Sequence, residues 1–151
     1  HAGTMTIEPF TSIAVAQGFR ILEKSTNVLK NYQGGIFAAR RSWAAENAPA
    51  LRAFIRGYLE GLAWTLDPAN RRAATDLLMR KMPEIKPGVV DAVMTSLLSE
   101  RSGLTPGGAV TIEGIRTALQ LRTRYGSGKA ALNDPNKYID LSYYEQARAG
   151  G

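Results

Sequence analysis

Few side chains in this sequence are suited to bond-making chemistry. Its one histidine is His1 and it has no cysteine. Without an interior histidine, a Ser-His-Asp relay cannot be assembled from these residues. Without cysteine there is neither a disulfide frame nor a thiol nucleophile. No group of His or Cys has metal-ligand spacing. Gly34-Gly35 and Gly107-Gly108 lack the spacing and the lysine of a phosphate-binding loop. A carboxylate pair remains open, since any Asp or Glu could serve, but no particular catalytic residue, metal or cofactor is expected and the chain is expected not to be an enzyme. What remains are polar groups able to hold a small molecule. Glu8 stands where a short β-prone stretch meets Pro9 and the start of a helix. In open α/β sheets, ligands sit beyond the carboxyl ends of strands, against free N–H groups of helix N-termini. Equally, a first-turn acid can simply complement the helix dipole. Tyr32-Gln33, bordered by Gly34-Gly35, can line a cleft or serve as ordinary loop.

The elements that must position these groups follow from periodicity. The chain is organised around Asn47–Leu66. There Leu51, Phe54, Ile55, Tyr58, Leu59, Leu62 and Leu66 recur in steps of three and four, one face of an α-helix. Asn47 is the expected N-cap, Pro49 fits the first turn, and Asp67-Pro68 stops the helix. Upstream, Ala2–Thr6, Phe19–Leu22 and Ile36–Ala39 read as strands, with a helix from Glu8-Pro9 to Ala16 or Gln17 capped by Gly18. Downstream, helices are expected at Ser42–Glu46, Asn70–Met82, Gly88–Glu100, Thr111–Arg124 and Tyr138–Ala149. Trp43 and Trp64 read as core or core-rim. Strand, helix, strand, loop, strand is α/β grammar, so the expected class is helix-rich α/β.

The 151 residues suit one domain. The net charge is +6, from 19 basic and 13 acidic residues. The basic residues occur at most in pairs and are interleaved with acids, which predicts a solvated surface rather than a nucleic-acid groove. No uncharged run approaches the roughly 20 residues of a membrane span. The opening HAGTMTIEPF reads as the middle of a folded unit, so the chain is expected to be a piece of a longer protein.

The ordered series of motifs resembles the C-terminal half of bacterial ABC-transporter substrate-binding proteins of the nitrate/sulfonate/taurine and thiamine-precursor (NMT1/THI5-like) family. It runs from Ala2–Pro9 and Gly18–Leu22 through Tyr32–Ala39, Trp43-Ala44, Asn47-Ala48-Pro49 and Leu51–Asn70. Gly114-Ile115, Tyr125-Gly126, Asp134–Asp140 and Tyr143-Tyr144 follow. The resemblance implies part of a type II periplasmic-binding-protein fold with two α/β lobes. Residues 1–31 would end the second lobe, 32–41 would cross back as a strand, and 42–151 would form the helical remainder of the first. It implies capture of a small anionic or heteroaromatic molecule between lobes and delivery to a membrane permease, in the periplasm or outside the cell, with or without a lipid anchor. It places ligand contacts at Thr4, Thr6, Glu8, Pro9, Tyr32 and Gln33.

Two other functions fit less well. A thiamine-pyrimidine synthase on the same scaffold would use an internal histidine and a cysteine-rich motif, which this chain lacks. A basic helical interaction domain would rest on net charge alone. The expected partners are a small-molecule ligand and a permease, without nucleic acid. A half-protein with an unpaired sheet edge is further expected to self-associate and to bind ligand weakly.

Overall fold

The computed structural model describes residues 3–128 and 131–150. Its elements are α1 (Phe10–Ala16), α2 (Ser25–Val28), α3 (Arg41–Glu46), α4 (Ala48–Leu66), α5 (Arg71–Lys81), α6 (Pro87–Leu97), α7 (Ile112–Tyr125) and α8 (Ser142–Ala149). Short 3-10 turns occur at Pro68–Asn70, Pro106–Gly108 and Pro135–Lys137.

Among the described residues there is no strand, which corrects the α/β expectation and with it the two-lobe sheet architecture. The three segments read as strands are irregular chain, Ala2 lying outside the described residues. Apolar alternation gives a segment only a tendency; a strand exists when a neighbour completes its ladder of N–H···O=C bonds. Among the described residues no such ladder joins them, and Met5, Ile7, Phe19, Ile21, Leu22, Ile36 and Phe37 stay exposed.

The longer helices follow the periodicity closely, whereas α2 falls in a stretch read as loop and α8 starts at Ser142 rather than Tyr138. α1 ends where expected, and Gly18 takes φ +90°, the left-handed conformation that only glycine adopts cheaply. Asn47 stands where the N-cap of α4 is expected, but its side chain serves the preceding helix. Its amide donates to the carbonyl of Trp43 at 2.9 Å, closing α3, while its own carbonyl accepts the first bond of α4 from Leu51 N–H. Asp67 and Asp134 each accept a backbone N–H two residues on and open the proline turns that follow.

The chain divides into two compact units. One comprises the described residues up to Asn27 with Leu62–Gly107; the other comprises Val28–Gly61 with the described residues from Gly108 onward. The first has a distinct core. Ile85, Val93 and Met94 are almost wholly buried, with Ala74 and Val90 beside them. Ile13 of α1, Leu78 and Met79 of α5, and Met82 pack against this cluster. The turn after α6 is closed by Leu104 N–H on Leu97 O, and Arg101 donates to Asn27 Oδ1 at 3.0 Å.

In the second unit the residues buried among those described are small: Ala44, Gly114, Pro135 and Ala147. Its larger apolar side chains are half-buried or exposed, and polar ties do much of the joining. Arg41 donates to Lys137 O at 2.9 Å, Arg52 to Gln146 Oε1 at 3.2 Å, and Arg56 to Gly150 O at 3.2 Å. The stripe of α4 is consequently split in outcome. Leu51, Ile55 and Leu59 are half-buried, Leu62 is buried in the first unit, and Phe54 and Tyr58 are exposed. Trp43 and Trp64 are also partly exposed, at 45% and 39%, which excludes a core position and leaves the core-rim alternative.

Candidate functional site

Thr4, Thr6, Glu8 and Pro9 belong to the first unit, on the approach to α1. The hydroxyls of Thr4 and Thr6 are exposed and reach only the carbonyl of the next residue, at 3.4 and 3.5 Å. Those lengths are at the outer limit of a hydrogen bond, so both hydroxyls can turn to another partner. Glu8 is half-buried, and its Oε2 accepts the backbone N–H of Ser12 at 3.3 Å. That N–H is one of the four a helix start leaves unpaired, so the carboxylate caps α1 and complements its dipole. The other carboxylate oxygen has no partner among the described residues. Pro9 is buried, follows a cis peptide bond and supplies the N-cap position of α1.

Tyr32 and Gln33 belong to the second unit. Tyr32 is 49% exposed. Gln33 is half-buried and engaged at both ends of its amide. Its Nε2 donates to Gly35 O at 3.0 Å, and its Oε1 accepts from Thr111 N–H at 3.2 Å. The chain then continues to Phe37, whose ring meets Phe54 and Tyr58 edge-on, with centroids 5.2 and 4.9 Å away. This T-shaped geometry sets the positive rim of one ring against the negative face of another. It fixes the segment after Tyr32 against α4. The sequence reading missed this cluster, although the apolar i, i+4 pair Phe54 and Tyr58 was visible.

Elsewhere in the second unit an open cleft of about 360 Å³ runs along α7, lined by Arg116, Gln120, Thr123, Arg124 and residues 131–133. Its cations have local partners. Arg116 Nε pairs with Glu113 at 3.4 Å, and Arg124 lies 5.2 Å from the ring centre of Tyr125. This is how a solvated basic helix face is arranged.

Among the described residues no group of three His, Cys, Asp or Glu could hold a metal ion, and no helix is long and apolar enough to cross a membrane. Two exposed carboxylates are held below their ordinary range. For Glu23 the main cause is the Asn27 side-chain amide, followed by Lys24 N–H. For Asp140 it is the Ser142 hydroxyl, followed by Ser142 N–H. Both are local capping devices. What the candidates offer is two hydroxyls, one carboxylate oxygen and one phenol ring.

None of the curated proteins and none of the solved structures compared matches this chain. A family model does match, over residues 2–79, just over half of the chain and all six candidate residues. On that match the chain belongs to the NMT1-like family.

Proposed function

We propose that this protein is a non-catalytic solute-binding component of an ABC importer, which captures a small anionic or heteroaromatic molecule and passes it to a membrane permease. The observation that supports it is the family match, which contains Thr4, Thr6, Glu8, Pro9, Tyr32 and Gln33. The family fits a solute-binding or thiamine-precursor scaffold, and the side chains favour binding over chemistry. A hydroxyl that is not firmly committed can donate to a sulfonate or carboxylate oxygen at little desolvation cost. The second oxygen of Glu8 can accept from an amine, and a half-exposed tyrosine ring offers a face for a planar heterocycle. In this reading the hydroxyls of Thr4 and Thr6 and the carboxylate of Glu8, within the first unit, contact solute, and Tyr32 is a separate candidate contact of the second unit. Pro9 and Gln33 act from behind them.

The protein is proposed to work in the periplasm or outside the cell, held by a lipid anchor or free. Cell fractionation and solute uptake test the transport role. The protein is expected in the extracytoplasmic fraction, and loss of its gene is expected to slow uptake of its solute at scarce supply. A cytoplasmic product whose loss leaves uptake of every tested sulfonate and aminopyrimidine unchanged would overturn it.

A further inference from the structure

The loop carrying Tyr32 is tied to a helix far along the chain. Gln33 Oε1 accepts the backbone N–H of Thr111 at 3.2 Å and faces its hydroxyl at 3.5 Å, across 78 residues. Thr111 is the N-cap of α7, and its own side chain makes no capping bond to the helix. The glutamine thus takes up a donor at the start of α7 from outside, while its Nε2 holds Gly35 O and shapes its own loop. One turn into α7, Gly114 is buried where a side chain has no room. A Cβ there would stand 2.8 Å from Gln33 N and 3.1 Å from Gln33 Cβ. The backbone of the loop therefore rests directly on the helix. On the other side of Gln33, the Tyr32 ring lies against Gly34, where a Cβ would meet Tyr32 Cε1 at 3.3 Å. These contacts run without a gap from Gly114 through Gln33 to the tyrosine.

We propose that Gln33, Thr111 and Gly114 form a latch by which α7 fixes the place of Tyr32, so that Gln33 is a positioning residue rather than a solute contact. The inference rests on the reading of Tyr32 as a solute-contacting residue, but the latch can be tested without any solute. Losing one acceptor from the Thr111 amide in Gln33→Met is expected to speed its hydrogen exchange about tenfold. Gln33→Glu keeps an acceptor at the positive end of α7 and should restore most of that protection, which a role in bulk packing alone would not produce. For position, the chain's lack of cysteine allows a pair of spin labels at Tyr32→Cys and Arg116→Cys. With Gly114 intact, one narrow distance distribution is expected. With Gly114→Ala, where the backbone must retreat, a second and longer population is expected. If Gly114→Ala and Gln33→Met both leave the distance distribution and Thr111 exchange unchanged, the latch is wrong. If instead the latch holds while Tyr32→Ala binds taurine and an aminopyrimidine as well as the parent does, the fault lies with the functional reading.

Discussion

Asp140 shows how single residues carry local order where the core is thin. Its Oδ1 accepts both the hydroxyl of Ser142, at 2.6 Å, and its N–H, at 3.0 Å, at the start of α8. These donors hold the charged form, with a smaller contribution from Arg41, and depress the pKa. A depressed carboxylate stabilises the fold above its unfolded pKa and loses that contribution as pH falls through the folded value. The start of α8 should therefore be unaffected by pH down to the ordinary aspartate range, about pH 4, and loosen below it. Amide NMR of Ser142 across an acid titration should show this, and Asp140→Asn should loosen α8 at neutral pH as well. A Ser142 amide whose protection relative to the unfolded chain is the same at both ends of the titration would contradict the assignment. Glu8 and Gln33 belong at the same scale. Their residue types and loop positions were legible in the sequence. Their partners were legible only where local. Glu8 meets Ser12 four residues on, whereas Gln33 meets Thr111 across a separation that no spacing rule spans.

At the scale of elements, α6 is the centre of the first unit. Val90, Val93 and Met94 are buried together, against α1 on one side and α5 on the other. Met94→Ala should cost roughly 2–5 kcal/mol in chemical denaturation, because the cavity adds to the lost transfer energy. Leu22→Ser, at an exposed position, should cost within about 0.5 kcal/mol. Equal losses from the two substitutions would mean that the core has been misplaced. The long helices were readable because their apolar period is internal to each segment: α4, α5, α6 and α7 all begin within two residues of expectation. The strands failed for the complementary reason. Ile36-Phe37-Ala38-Ala39 has a strand-like composition, but pairing depends on a neighbour that the segment does not encode. Phe37 turns instead to Phe54 and Tyr58 on α4. Asn47 stands at the expected N-cap position of α4, but two helices meet there and its side-chain amide serves the one that ends.

At the scale of the molecule, the two units are held differently. The first has a closed apolar cluster; the second relies on small buried residues, arginine-to-carbonyl ties and the Gln33 latch. Polar surface ties contribute modestly to net stability, so the second unit should be the more easily perturbed. Family membership was legible in the ordered series of motifs, and the match over residues 2–79 supports its first half. Sequence periodicity did not reveal which polar groups remain uncommitted after folding. The structure distinguishes Thr4 and Thr6, whose hydroxyls have little to hold them, from Gln33, which is engaged at both ends.

The central claim is solute binding by these uncommitted groups. It is tested most directly by amide NMR spectra of the chain titrated with taurine and, separately, with an aminopyrimidine. Saturable shifts at Thr4, Thr6, Glu8 or Tyr32, with the solute recovered chemically unchanged, are the result predicted. Shifts that never saturate, or that fall only on the Arg116–Arg124 face of α7, would contradict it.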